Sequence, residues 1–208
     1  AERFQFGLVR DPSAIFMLLA IFFWFIAYNG VETWLSTYGT KHLGHQAYEI
    51  GGLLTFSGGA FLLMAIPAGF IAAGSGRRKG LGRKNTILIG IIGMAAAYFL
   101  MMGLGNLKAG IPYLVLAGVS WAFVNINSYP MVAEMAPVGQ IGTYTGLYYL
   151  FSNGSNIASP PLFGWVFDTY GYTYFFPVAI GAMVLAFLCM LMVRKGEAVR
   201  SPQMDAAD

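Results

Sequence analysis

Six long apolar stretches dominate this sequence of 208 residues, and nearly all of the charged residues lie between them. A helix needs roughly 20 apolar residues to cross about 30 Å of hydrocarbon. Lipid cannot hydrogen-bond to a backbone, so a segment that crosses it must satisfy its own polar groups, which favours helices. The stretches are residues 13–38, 50–73, 87–104, 111–135, 141–166 and 172–193. They predict an all-α integral membrane protein with six transmembrane helices.

The composition excludes most classes of water-soluble enzyme. Charged residues make up 10% of the chain, whereas soluble domains have about 25%. An intramembrane hydrolase would need a His within a helix, but His42 and His45 both lie in the first connection. That placement also leaves no metal site, and the phosphate-binding patterns GxGxxG and GxxxxGK[ST] are absent. We therefore expect no catalytic residue, no metal, no bound cofactor and no nucleic-acid partner.

The basic residues indicate the orientation in the membrane. Ten of the twelve Lys and Arg lie before the first stretch, in the second connection or after the last stretch. Short loops rich in Lys and Arg mark the cytoplasmic side, so both termini are expected in the cytoplasm. The chain starts at Ala1, which looks like the cut end of a longer protein. We expect a cytoplasmic N-terminal segment (1–12, from a central loop), a six-helix bundle in the cell membrane (13–195) and a cytoplasmic tail (196–208).

The second connection carries a basic cluster at residues 76–84. It allows three interpretations: a topological anchor, a patch for lipid headgroups, or a structured hairpin that turns at its glycines. Glu134 ends the fourth stretch on the same side of the membrane. In the third interpretation, Glu134 pairs with Arg83 or, failing that, with Arg77 through a charge-assisted hydrogen bond. These three residues are the candidate cytoplasmic gate.

The two halves of the chain resemble each other when one is shifted by 95 residues. Helix five then aligns with helix two, and helix four with helix one. Two units of three helices each have opposite orientation, so the pattern predicts the inverted repeats typical of secondary transporters. The identical pairs are Gly51–Gly146, Phe56–Phe151, Ser57–Ser152, Gly59–Gly154, Gly69–Gly164 and Gly76–Gly171.

Three segments resemble the Major Facilitator Superfamily, with the greatest likeness to its sucrose and other sugar–proton symporters. They are residues 24–38 (WFIAYNGVETWLSTY), residues 66–84 with the basic loop, and residues 130–171. The family's loop motif usually has an Asp soon after the glycine that matches Gly69, but residues 70–74 contain none. The resemblance implies the C-terminal six-helix half of a twelve-helix carrier. Its partner is then the N-terminal six-helix half of the same protein.

Glu32 is the candidate residue for proton coupling. It lies only about 8 Å beyond the middle of the first helix, and a carboxyl group at that depth is costly unless it faces a cavity or carries a proton. The alternative is that Glu32 reaches the outer surface. Gly30, close by, is expected to bend the helix and expose carbonyl groups.

A set of aromatic and amide side chains near the middle of three helices is the candidate substrate site. Rings and neutral hydrogen-bonding groups suit a sugar, whose faces are apolar and whose rim carries hydroxyls. The alternative for each residue is an interhelical hydrogen bond. The set is Tyr28, Asn29 and Trp34 in helix one, Trp121, Asn125 and Asn127 in helix four, and Asn153 and Asn156 in helix five.

Together these features predict secondary active transport of a small solute by alternating access. The resemblance implies a sugar with a coupled proton, powered by a gradient of protons or another cation. The partners are a small-molecule substrate and the lipid bilayer. The alternatives are a membrane scaffold or receptor without transport, or a facilitator that exports a different small molecule. The sequence leaves open the substrate, the direction, the coupling ion and whether the chain works as a homodimer.

Overall fold

The computed structural model describes residues 11–75 and 78–196, and these form a bundle of six α-helices. The helices are α1 (Pro12–Lys41), α2 (Ala47–Ala73), α3 (Arg83–Met101), α4 (Ile111–Met135), α5 (Ile141–Tyr170) and α6 (Phe175–Met192). Short 3₁₀ turns at Leu107–Gly110 and Tyr172–Tyr174 precede α4 and α6. The paired two-residue strands β1 (Gly74–Ser75) and β2 (Arg78–Lys79) form an antiparallel hairpin between α2 and α3. The predicted all-α membrane fold is confirmed.

Five of the helices are long and apolar enough to cross a bilayer, with mean hydropathy between 1.5 and 2.5. The sixth, α5, has sufficient length at 30 residues but is more polar. Its serines are buried against protein: Ser155 donates to the Ser152 carbonyl oxygen at 2.6 Å, and Ser159 to the Ile26 carbonyl oxygen at 2.7 Å. Polar groups satisfied in this way are tolerated within a membrane bundle.

The packing has the symmetry of two inverted repeats. Helix α1 packs most extensively against α5 and α6, and α4 packs most extensively against α2 and α3. A further contact joins α3 to α6. Exchanging α1 with α4, α2 with α5 and α3 with α6 reproduces the same set of contacts. The inverted-repeat prediction is therefore confirmed.

Glycines allow the closest helix crossings. The buried ring of Phe163 lies over Gly30, where a Cβ atom would be 2.1 Å from a ring carbon. A Cβ atom at Gly118 would be 2.1 Å from the carbonyl oxygen of Ser57. Helix α1 continues as one helix through Gly30, and the expected bend there stays a prediction. Gly30 serves to bring α1 against α5.

An ion pair joins the start of α1 to the end of α6. Asp11 caps α1 by accepting a hydrogen bond from the Ser13 backbone N–H at 3.0 Å, and its other oxygen lies 2.7 Å from the Lys195 ammonium. The hydrogen bond from Lys195 lowers the pKa of Asp11, and the same bond raises the pKa of Lys195. The Ser13 hydroxyl also accepts the Arg194 backbone N–H at 3.1 Å.

Candidate functional site

Two aromatic residues join α1 and α4 at the centre of the bundle. The rings of Tyr28 and Trp121 stack with their centroids 3.9 Å apart and an angle of 7° between their planes. Phe25 meets Trp121 edge-on at 5.2 Å. Trp121 is almost fully buried, while Tyr28 is half-buried. Two of the predicted substrate residues therefore form one aromatic platform.

Three of the predicted asparagines form an amide cluster between α1 and α5. The amide nitrogen of Asn29 donates to the amide oxygen of Asn156, and Asn156 donates to the amide oxygen of Asn153 at 3.4 Å. Asn153 and Asn156 are both exposed. An amide has two donor hydrogens and two acceptor lone pairs, so this cluster has hydrogen-bonding capacity left for a solute.

Glu32 is exposed and lies one helical turn beyond Tyr28. The Tyr28 hydroxyl and the Glu32 carboxylate share a cleft with the buried Tyr98 of α3. This cleft has a volume of about 110 Å³ and lies between α1, α2, α3 and α4. Its lining is Tyr28, Val31, Glu32, Leu35, Leu54, Ser57, Gly58, Met94, Tyr98, Met101, Leu114 and Ala117.

The structure places the other predicted substrate residues apart from the amide cluster. The Trp34 indole N–H donates to the Pro160 carbonyl oxygen at 3.0 Å, and its ring meets Phe167 edge-on. Asn127 is 2% exposed and donates to the carbonyl oxygens of Phe123 at 2.9 Å and Ala68 at 3.4 Å. Trp34 and Asn127 therefore each form an interhelical hydrogen bond, as the alternative interpretation expects. Asn125 is half-buried on α4, and the substrate role of all three stays a prediction.

Sequence reasoning missed two polar residues of the cleft, Ser57 and Tyr98. A signal for Tyr98 existed, because it is the one side chain with a hydroxyl in the apolar stretch 87–104. A lone tyrosine in such a stretch needs a polar neighbour when it is buried. Ser57 gave no signal, since serines are frequent in membrane helices and its rotation toward α4 is set by tertiary packing.

The expected ion pair between Arg83 and Glu134 is present. The Arg83 guanidinium contacts the Glu134 carboxylate, which joins the first turn of α3 to the last turn of α4. The hairpin before Arg83 folds back on α2 through hydrogen bonds from the Leu81 N–H to the Ile71 carbonyl oxygen and from the Gly82 N–H to the Ala72 carbonyl oxygen. Arg77, the other predicted gate residue, lies outside the described residues.

Comparison with known proteins identifies relatives along almost the whole chain. The chain is 26% identical to dipeptide and tripeptide permease B of Shigella dysenteriae over 196 residues, covering 90% of this chain and 38% of the relative. It is 29% identical to the multidrug resistance protein MdtG of Dickeya zeae over 177 residues, covering 84% of this chain and 41% of the relative. These names refer to peptides and to drugs, and neither refers to a sugar. The chain spans about two-fifths of the length of these relatives.

A solved structure has the same fold. A peptide transporter, POT, in complex with alafosfalin superposes with a TM-score of 0.78 at 16% identity, covering 98% of this chain and 44% of the other. The family model described as Major Facilitator Superfamily matches residues 2–160 and again residues 79–206. The two matches overlap and together include nearly every residue. The chain thus belongs to the Major Facilitator Superfamily.

Proposed function

We propose that this chain is one six-helix half of a secondary active transporter that moves a small polar solute by alternating access. The family, the inverted repeats and the two-fifths coverage of longer relatives support this proposal. In this proposal both termini face the cytoplasm, as the distribution of Lys and Arg predicts. The second half of the carrier is the N-terminal six-helix half of the same protein.

The observation that carries the proposal is the exposed amide cluster at mid-height. Asn153 and Asn156 lie near the middle of α5, at the depth of the hydrocarbon core. Polar groups at that depth are costly against lipid and normally face protein or a water-filled cavity. A second six-helix half over this surface encloses such a cavity.

Separate expression of the two halves tests the proposal. Residues 1–208 are produced alone and together with the N-terminal six-helix half as a separate chain, and uptake into proteoliposomes is measured. We expect transport only from the two halves together. Robust transport by the lone chain as a purified monomer contradicts the proposal. Transport by a homodimer instead makes this a half-size carrier, and solute binding without transport favours the scaffold or receptor alternative.

For the substrate, we propose a short peptide before a sugar. The similarity to dipeptide and tripeptide permease B supports a peptide, and amide side chains such as Asn29 and Asn156 complement the amide groups of a peptide backbone. One observation still supports the sugar inferred from the sequence. It is the aromatic platform of Tyr28 and Trp121 beside those amides. Uptake of labelled dialanine with excess unlabelled sucrose, and the reverse, separates the two. Competition by sucrose alone contradicts the peptide proposal.

We propose further that Glu32 carries the coupled proton. Glu32→Gln keeps the shape and the hydrogen bonding of the side chain but cannot release a proton. It is expected to abolish accumulation against a gradient and to spare exchange of solute at equal concentrations. Glu49→Gln is the control, because Glu49 is also a glutamate but forms an ion pair with Lys108 at the end of the bundle. Undiminished accumulation by Glu32→Gln contradicts the assignment.

A further inference from the structure

The cleft and the amide cluster lie on different sides of α1. Tyr28, Val31, Glu32 and Leu35 line the cleft, and their spacing places them on one face of the helix. Asn29 lies roughly 100° around the helix from the middle of that face. There it binds Asn156 of α5, whereas the cleft is formed with α2, α3 and α4. The carboxyl group and the amide cluster therefore have different surroundings.

The cleft lies in one half of the membrane thickness. All of its lining residues come from the last halves of α1 and α3 and the first halves of α2 and α4. By the distribution of basic residues this is the extracytoplasmic half. At the same end, Glu49 lies 2.6 Å from the Lys108 ammonium and 3.4 Å from His45. Charged groups that attract water thus mark the end of the bundle toward which the cleft lies.

The cleft has the size and the polarity to hold water. A volume of about 110 Å³ is several times the roughly 10–15 Å³ that a single water needs on this measure. Buried water also needs polar partners, and the lining supplies the Glu32 carboxylate and the hydroxyls of Tyr28, Ser57 and Tyr98. Besides Glu32, the titratable lining residues are Tyr28 and Tyr98, while α2 and α4 contribute Ser57 and apolar side chains.

We propose that this cleft is a hydrated proton route from the extracytoplasmic side to Glu32, separate from the path of the solute. The inference rests on the proposed proton-coupled transport. A hydronium ion in the cleft gives its proton to the Glu32 carboxylate and becomes water. Protonation removes a charge one helical turn from the Tyr28 hydroxyl, which lines the same cleft. Because the Tyr28 ring stacks on Trp121 beside Asn29, protonation is communicated to the solute surface without direct contact between proton and solute.

Cysteine labelling tests the separation of the two paths. In the whole carrier with Cys189→Ala, Ser57→Cys and Asn156→Cys are each treated from outside with a membrane-impermeant thiol reagent. A saturating transported solute, at about ten times its Kd, is expected to slow labelling of Asn156→Cys about tenfold and to leave Ser57→Cys unchanged. No reaction at Ser57→Cys, or equal protection at both positions, overturns the proposal. If Ser57→Cys is labelled but the unaltered carrier moves no solute, the proposed function is contradicted. The hydrated cleft is then still supported.

Filling the cleft provides the second test. A Cβ atom at Gly58 has nothing within 4 Å, so Gly58→Leu places its side chain in the cleft without a backbone clash. Gly52→Leu is the matched control, because Gly52 is an equally open glycine of α2 outside the lining. We expect Gly58→Leu to slow proton-driven accumulation about tenfold or more while exchange of solute at equal concentrations stays within about twofold, a difference of roughly 1 kcal/mol between the two activities. Equal slowing of both activities, or the same effect from Gly52→Leu, overturns the separate route.

Discussion

Gly74 and Gly171 end α2 and α5 with nearly the same backbone conformation, φ 87° with ψ 174° and φ 85° with ψ 173°. Each backbone N–H donates to the carbonyl oxygen of a phenylalanine four residues earlier, Phe70 and Phe167. This conformation is essentially restricted to glycine. The pair shows that the repeat extends to the way equivalent helices end. At these two helix ends the shift between the repeats is 97 residues and not 95. Gly171 is therefore equivalent to Gly74, and the sequence match of Gly171 to Gly76 is replaced.

Gly171→Ala is expected to destabilise the carrier through backbone strain alone. A Cβ atom at Gly171 has nothing within 4 Å, so no steric clash contributes. Holding alanine in this region costs about 1–3 kcal/mol. Gly154→Ala is the control, since Gly154 is an open glycine inside α5 and alanine there favours the helix. Thermal unfolding in detergent is expected to show a lower Tm for the first variant and an equal or higher Tm for the second. Equal Tm values for the two variants contradict a cost from backbone strain at Gly171.

Gly30→Ala is expected to destabilise the crossing of α1 and α5. The new Cβ atom meets the Phe163 ring at 2.1 Å, and overpacking of this kind costs about 1–3 kcal/mol. Phe163→Leu in the same chain opens space and is expected to restore part of the lost stability. Gly181→Ala, at an open position of α6, is the control for the glycine substitution itself. If the double variant is no more stable than the sum of the single variants predicts, the two residues are not coupled.

The positions of the spans and the ion pair of Arg83 and Glu134 could be predicted because they depend on hydropathy and charge along the chain. Helix α4 begins and ends at the predicted residues, and Arg83 meets Glu134 because both lie at helix ends on the same side. The rotation of each helix could not be predicted. The sequence of α1 does not reveal that Glu32 borders a cleft with α2, α3 and α4, or that Trp34 bonds to α5. Interhelical packing, set by contacts such as Gly30 on Phe163, decides those directions.

The ion pair of Asp11 and Lys195 predicts how stability depends on pH. The lowered pKa of Asp11 means that its contribution is present above the ordinary value of 3.8 and is lost as the pH falls through the lower folded-state value. The raised pKa of Lys195 means that its contribution is present below 10.5 and is lost as the pH rises through the higher folded-state value. Between these limits the contribution is constant. Because the Lys195 side chain is 65% exposed, the effect is expected to be small.

Asp11→Asn tests this dependence. The amide keeps an oxygen to accept the Ser13 N–H but carries no charge for Lys195. We expect the variant to have a slightly lower Tm at neutral pH and a smaller loss of Tm between pH 5 and pH 3 than the unaltered chain. Lys108→Gln, which removes a basic partner at the opposite end of the bundle, is the control. An unchanged acid dependence in Asp11→Asn contradicts the contribution of this pair.

The ion pair of Arg83 and Glu134 predicts a shift between the two states of the carrier. In the proposed alternating access, the end of the bundle that holds this pair closes in one state and opens in the other. A contact made only in the closed state stabilises that state. Glu134→Gln removes the charge and keeps the size of the side chain. Because both side chains are partly exposed, at 16% and 30%, the loss is expected to be about 1 kcal/mol, or roughly a fivefold change in the ratio of the states.

Accessibility of a cysteine near this end measures that ratio. With Cys189→Ala as background, a Met135→Cys reporter is labelled from the side of the membrane at which the ion pair lies, because Met135 is buried at the end of α4. Its labelling rate is compared with and without Glu134→Gln. The labelling rate is expected to rise in Glu134→Gln. It is expected to return to the rate of the unaltered pair when the charges are exchanged by Arg83→Glu with Glu134→Arg. Glu49→Gln, which breaks an ion pair at the other end, is expected not to increase it. If Glu134→Gln leaves the rate unchanged while transport is intact, the pair holds α3 to α4 in both states and does not act as a gate.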